Sequence, residues 1–175
     1  MVALAPIALS ANAVTTPVSG NTYIVENIGF AHWLDNANAV IDDGNPILSW
    51  VQNSPETTNQ EWTYLTYPTT SGATVFTLQS VSTIQSEPSF DDRGGYIRVD
   101  STTNKLVQGG QPMAWTLIEA APGIFKMSPF DDLYSDNGRL VATDINSTIT
   151  TSANNQAELQ IDETLLQQLW TFNNP

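Results

Sequence analysis

Apolar positions along this chain come in short runs, and within the runs the period is two more often than 3.6. The first third carries "NTYIVEN", "AHWLD", "PILSWV" and "EWTYLTY", and the second carries "ATVFTLQS", "GGYIRVD", "NKLVQG" and "AWTLIEA". The last third offers "GIFKMSP", "GRLVATD", "STITTSA" and "LWTFN". Each run alternates or clusters β-branched and aromatic residues, and Gly, Pro, Asn, Asp and Ser punctuate the intervals. The pattern predicts twelve short strands. One segment, "NNQAELQIDETLLQQLW", reads locally as helix. It is expected to be a loop insertion with one helical turn before the final strand.

The runs repeat. "QEWTY" (Gln60 to Tyr64) returns as "MAWTL" (Met113 to Leu117) and again as "QLWTF" (Gln168 to Phe172). The tryptophans, Trp62, Trp115 and Trp170, are spaced by 53 and 55 residues, and each is followed by Thr and a large apolar residue. Spacing this regular divides the chain into structural repeats of about 19–67, 68–121 and 122–175, preceded by an irregular arm at 1–18. Four strands in each of three repeats are too short to stand alone. A closed barrel capped by hairpins removes their unpaired edges. Trp62, Trp115 and Trp170 are then core residues, meeting near a pseudo-threefold axis.

Composition narrows the function more than the fold. With 175 residues the chain is of single-domain size. Five basic residues stand against 18 acidic ones, for a formal charge of −13, and all five lie between Arg93 and Arg139. Such a surface repels phosphate backbones and anionic headgroups, which argues against nucleic-acid or membrane partners. The absence of cysteine excludes disulfides and thiolate metal sites, and the single histidine, His32, excludes multi-His sites. No metal or cofactor is expected. No apolar run is long enough to span a bilayer as a helix. The opening "MVALAPIALSANA" ends in an Ala-x-Ala-like sequence but lacks a basic start, and Pro6 interrupts it. A cytoplasmic or non-classically secreted protein is expected ahead of one carrying a signal peptide, with a cleaved or truncated signal as the alternative reading.

Three repeats of about fifty residues ending in Gln-x-Trp resemble the ricin-B-type β-trefoil lectins. The pieces "GNTYIVEN", "WLD", "ILSW" and "NQEW" of the first repeat resemble the fungal members in particular, over roughly Ser19 to Asn174. The resemblance implies a β-trefoil without enzymatic activity that binds glycans or glycoproteins, with a part in defence or recognition of foreign glycans. It also implies a pocket in the first repeat built from Asp35, Trp50, Asn59 and Gln60. In that pocket Asp35 would accept hydrogen bonds from adjacent sugar hydroxyls, Trp50 would stack on the ring, Asn59 would bond a further hydroxyl, and Gln60 would hold the carboxylate and the turn. Galactose-type sugars are the usual ligands of such pockets. The residues suit the chemistry independently, because a pyranose has one face of C–H groups and a rim of hydroxyls. A flat aromatic platform and a few fixed polar groups recognise both.

The other thirds lack the full set. The second has Asp100 after "YIRV", no aromatic between Lys105 and Gly110, and Pro112-Met113 in place of Asn-Gln. The third has Asp144 after "LVAT" and Gln167-Gln168, but "STITTSA" supplies no aromatic. One working site is therefore expected. Agglutination would require a homodimer, for which the arm is a candidate.

Simpler roles exist for each residue. Trp50 could be core under a hairpin, Asp35 a turn residue, and His32 a surface or internally satisfied histidine. The pairs Asp42-Asp43, Asp91-Asp92 and Asp131-Asp132 fit no EF-hand spacing and read as solvated turns. No pair of carboxylates stands out as the two unlike groups that a glycosidase requires. Asn146-Ser147-Thr148 is a formal glycosylation sequon. Two competing functions remain for the same fold. One is a protease inhibitor acting through "STIQSEPSFDDRG" (Ser82 to Gly94) with Arg93 as its basic residue, and the other is an interaction module without sugar binding.

Overall fold

In the computed structural model, which describes residues 16–86, 94–130, 138–146 and 155–175, the predicted runs become strands that are mostly buried on one face. In chain order these are β1 (Thr22–Asn27), β2 (Trp33–Asn36), β3 (Ile47–Trp50) and β4 (Trp62–Pro68) in the first repeat. The second repeat holds β5 (Thr74–Ser80), β6 (Tyr96–Val99), β7 (Leu106–Gly109) and β8 (Trp115–Ala121). The third holds β9 (Ile124–Pro129), β10 (Leu140–Thr143), β11 (Glu158–Ile161) and β12 (Trp170–Asn173).

The first and last strands of each repeat close a six-stranded antiparallel barrel. β1 pairs with β4, β4 with β5, β5 with β8, β8 with β9, β9 with β12, and β12 returns to β1. The middle strands form three hairpins, β2–β3, β6–β7 and β10–β11. Isolated bridges join these hairpins to one another: Pro46 with Val107, Leu48 with Gln156, and Lys105 with Glu158. Backbone bonds from Leu106 N to Ala157 O (2.7 Å) and from Ala157 N to Ile47 O (3.0 Å) tie the caps further. The fold is a β-trefoil. Closure satisfies barrel strands that would otherwise leave edges open.

Trp62, Trp115 and Trp170 are all buried in one continuous core. Their indole N–H groups show why the phrase recurs. Trp62 donates to Leu34 O at 2.9 Å, Trp115 to Ile97 O at 3.1 Å, and Trp170 to Ala142 O at 3.0 Å. Each tryptophan thus fastens the last barrel strand of its repeat to the first strand of that repeat's cap. The residue two places on, Tyr64, Leu117 or Phe172, also faces the core. Phe172 meets Tyr23, Tyr64 and Phe125 edge-on at centroid distances of 5.7–5.9 Å. Edge-to-face contacts of this kind are favoured by the ring quadrupole.

Two segments differ from expectation. The third strand of the last repeat is Glu158–Ile161 rather than "STITTSA", whose residues 147–153 lie outside the described part. The helix-like pattern of "AELQIDETLLQQLW" is overridden because "ELQI" completes a hairpin with β10 and meets the neighbouring cap at Lys105. The single expected helical turn is present just downstream, as a 3-10 turn at Leu166–Gln168. The expected loop at Ser82 to Gly94 begins inside a short helix, α1 (Val81–Ser86), and Arg93 lies outside the described residues, as do residues 1–15 of the arm. Among the described residues no helix is long and apolar enough to cross a membrane.

Replacing Trp115 with Phe tests the fastening in a repeat that does not carry the candidate notch. It strands the Ile97 carbonyl in the core and leaves a void, at a cost of about 2–4 kcal/mol. Thermal unfolding should show a fall in Tm of roughly 5–15 °C. An unchanged Tm would mean that the indole bond contributes little.

Candidate functional site

The first repeat carries a notch of about 510 Å³ beside its cap, lined by residues that include Asp35, Trp50, Asn53, Thr57 and Asn59. Its size is within the range of small-molecule sites. β2 delivers Asp35, and β3 delivers Trp50 from the position opposite Trp33. The loop that follows β3 folds back into a 3-10 turn at Thr58–Gln60, which presents Asn59. A further stretch of the wall is formed by Asn38 and Ala39, both held at φ 55°. Left-handed backbone is unfavourable for alanine, so the surrounding bonds hold this turn.

Asp35 is 3 % exposed, yet its carboxylate borders the notch. Asn59 Nδ2 donates to Oδ1 at 2.8 Å and to the Asn36 carbonyl at 3.3 Å. The second oxygen, Oδ2, accepts from Asn53 Nδ2 at 3.5 Å. Burial pushes the Asp35 carboxyl up to about 6, against the lowering effect of hydrogen bonds from Gln60, Asn59 and Asn53. Gln60 is buried and does not line the notch. Its Nε2 donates to Val51 O at 2.8 Å, and its Oε1 accepts from Asn53 N at 2.8 Å. Gln60 therefore clamps the loop that carries Asn53.

Trp50 is half-buried and lines the notch. All four predicted residues therefore lie together: Asp35, Trp50 and Asn59 on the notch, and Gln60 behind it. Sequence reading missed Asn53, Thr57 and the Asn38–Ala39 wall. Their signal was weak, since polar residues in a loop are the usual state of loops.

The wall is tied to the second repeat. Asn36 Nδ2 donates to Gln108 Oε1 at 2.8 Å, and its Oδ1 accepts from Asn45 Nδ2 at 2.7 Å. Gln108 Nε2 reaches Asp42 O at 3.1 Å, and the Gly44 amide donates to Gln108 O at 2.8 Å. The stretch "DDGNP" (Asp42 to Pro46) is thus a strap between two caps, and none of its residues lines the notch.

The indole acceptors and strand registers align the repeats, and they correct one expectation. Leu34, Ile97 and Ala142 occupy the same place, so the counterparts of Asp35 are Arg98 and Thr143, not Asp100 and Asp144. The counterparts of Trp50, each one step beyond the partner of that acceptor residue, are Gly109 and Gln160. Asp100 is a turn residue whose Oδ1 accepts from Thr102 N at 2.8 Å. Asp144 aligns with Asn36. It is fully buried and bonded to His32 Nδ1 at 2.8 Å, across the seam between the third and first repeats. Burial raises the Asp144 carboxyl, against the attraction of His32. His32 is accordingly an internally satisfied histidine and not a surface one. In the second repeat the Arg98 stem lies against Gly109, where any Cβ would meet its Cδ at 2.2 Å. The arginine fills the place that the first repeat leaves open.

Solved structures supply the comparison. The Macrolepiota procera ricin B-like lectin in complex with lactose superposes with a TM-score of 0.65 at 22 % identity, covering 92 % of this chain and all of that one. The fold is that of the ricin B-like lectins. The Rhizoctonia solani agglutinin gives a TM-score of 0.66 at 18 % identity over 98 % of this chain and all of its own. ThreeFoil, a designed threefold-symmetric protein, gives 0.63 at 14 % identity over 88 % of this chain and 99 % of its own. No family model and no curated protein sequence matches the chain.

The raised Asp35 carboxyl has a sign that can be checked. A group held above its unfolded value stabilises the fold fully below that value, 3.8, and loses the contribution as pH rises through about 6. Denaturant unfolding of wild type and Asp35→Asn between pH 4 and pH 7 should show the variant gaining relative stability by up to about 3 kcal/mol. Parallel curves would contradict burial of an ionising carboxyl at this place.

Proposed function

We propose that the protein is a carbohydrate-binding lectin that takes a galactose-type sugar in the first-repeat notch. The observation that carries this reading is the convergence of Trp50, Asp35 and Asn59 on one notch, where Asp35 Oδ2 has a long contact, 3.5 Å, from Asn53 Nδ2. A half-buried indole offers a flat apolar platform for the C–H face of a pyranose. The carboxylate and amides offer directional partners for its hydroxyls. A charged acceptor makes the stronger bond, roughly 1.5–3 kcal/mol. The lactose complex of the Macrolepiota lectin, a protein of the same fold, supports a galactose-containing ligand.

The notch fits binding better than hydrolysis. Among the described residues lining it, Asp35 is the one carboxylate, whereas glycoside hydrolysis calls for two in unlike settings. Arg98 and Gly109 in the second repeat, and Thr143 and Gln160 in the third, supply neither a carboxylate nor an aromatic platform. The protein is proposed to be monovalent per chain, so cross-linking of cells would need a homodimer.

A glycan array followed by calorimetry checks the assignment. Wild type should bind terminal galactosides, and Trp50→Ala and Asp35→Ala should each lose at least about tenfold in affinity. Because the ionised Asp35 is the acceptor, affinity should also weaken as pH falls below about 6, by up to about tenfold per pH unit. Retained binding in both variants would remove the site from the notch.

A further inference from the structure

Three of the five tryptophans are spent on the core, and the other two stand together outside it. Trp33 and Trp50 are opposed across the β2–β3 hairpin. Directly opposed residues of an antiparallel pair share one face, with Cβ atoms about 4.5–5.5 Å apart. Leu34 and Ile47 point into the core, so by alternation Trp33, Asp35, Leu48 and Trp50 occupy the outer face. Asp35, Leu48 and Trp50 line the notch, and Trp33 stands just outside it. Both indoles are half-buried. Among the described residues neither of their N–H groups has a hydrogen-bond partner, unlike those of Trp62, Trp115 and Trp170.

The row continues onto the barrel. Glu26 of β1 is opposite Trp33, on the side away from Trp50. It is half-buried, and its Oε2 accepts from Asn173 Nδ2 at 2.8 Å. Among the described residues its Oε1 has no partner. A carboxylate therefore accompanies the outer indole, as Asp35 accompanies Trp50. The other repeats lack this row. Tyr96 and Gly109 hold the two tryptophan positions in the second repeat, and Val141 and Gln160 hold them in the third. Gln79 stands opposite Tyr96, and its amide is used by Gly94 O at 2.8 Å. Val141 is wholly buried. The hairpin forms in all three repeats, so opposed tryptophans are not what the fold requires.

We propose that Trp33 and Glu26 form a second subsite beside the notch, which takes the next ring of a glycan whose terminal sugar lies on Trp50. The proposal rests on the sugar-binding reading and extends it from one ring to two. Neighbouring strands lie about 4.8 Å apart, close to the advance of a glycan chain per pyranose ring. A ring over Trp33 is thus one strand along from a ring over Trp50. The indole meets the C–H face of the second ring, and Glu26 Oε1 accepts from one of its hydroxyls. Both platforms are fixed in one hairpin, so the linkage between the rings decides whether both can be engaged. The pair of tryptophans thereby reads linkage, which a single platform cannot do.

The test is calorimetric titration of wild type, Trp33→Thr and Glu26→Gln with methyl β-galactoside, p-nitrophenyl β-galactoside and galactosyl disaccharides of different linkage, lactose among them. Threonine keeps the strand preference of the position, and Glu26→Gln carries the test if Trp33→Thr does not fold. Wild type should bind one linkage about 3- to 30-fold more tightly than methyl β-galactoside. Trp33→Thr should abolish that gain and Glu26→Gln should reduce it, while both bind methyl β-galactoside as wild type does. Equal affinity of wild type for the monosaccharide and every disaccharide would overturn the proposal, as would a gain that survives both substitutions. An equal loss of monosaccharide and disaccharide binding in Trp33→Thr would show that this residue only positions Trp50. A gain confined to the p-nitrophenyl glycoside would show that the platform takes an aromatic group and not a sugar. Each of these results sinks the second subsite and leaves the lectin reading intact. Wild type that binds neither the monosaccharide nor any disaccharide would overturn both.

Discussion

One hydrogen bond, made three times, organises the molecule. The indole of Trp62, Trp115 or Trp170 reaches from the last barrel strand of its repeat to a carbonyl in the first strand of the cap. A buried carbonyl without a partner is expensive, and a buried tryptophan brings a large apolar surface together with one N–H to satisfy it. The bond therefore sets the depth at which each hairpin sits on the barrel. In the first repeat it lands on Leu34, the residue immediately before Asp35. The contact that seats the cap thus also positions the carboxylate of the notch.

Around this symmetric frame the three repeats use equivalent positions differently. The residue after the carboxylate position bridges to another repeat in two cases: Asn36 to Gln108 of the second, and Asp144 to His32 of the first. The glutamine of Gln-x-Trp performs one task twice, since Gln60 and Gln168 both clamp the loop after the third strand. The notch is a departure from symmetry laid over these shared parts. It arises where the platform is Trp50 rather than Gly109 or Gln160, and where the strand end is Asp35 rather than Arg98 or Thr143. Such a site gains rigidity because Asp35 and Asn59 are positioned by bonds that also serve the fold.

The fold was legible because its signals are local and repeated. Alternating runs, turn residues between them and a phrase returning at 53 and 55 residues survive without tertiary information. Asp35, Trp50, Asn59 and Gln60 were legible for a related reason, since they stand in fixed order within one repeat. The failures share the opposite property. "ELQI" looks helical over its own neighbourhood and is a strand because β10 and the second cap require a partner there. Asp100 and Asp144 come just after their strands whereas Asp35 stands within β2, and this shift of one or two residues in register exchanges the outward position for a turn or for the interior.

The sequence by itself determined the strand-and-turn grammar, the threefold division, the burial of three tryptophans and three of the residues at the notch, Asp35, Trp50 and Asn59. Tertiary structure decided what depends on register and on contacts between repeats. It placed Trp50 on the notch and not in the core, and it turned His32 inward onto Asp144 across 112 residues of chain. It also brought Asn53 against the carboxylate. The physical reason is the same in each case. Periodicity reports which faces of a strand are apolar, whereas the partner of a buried polar group is chosen by whichever distant chain segment closes the barrel beside it.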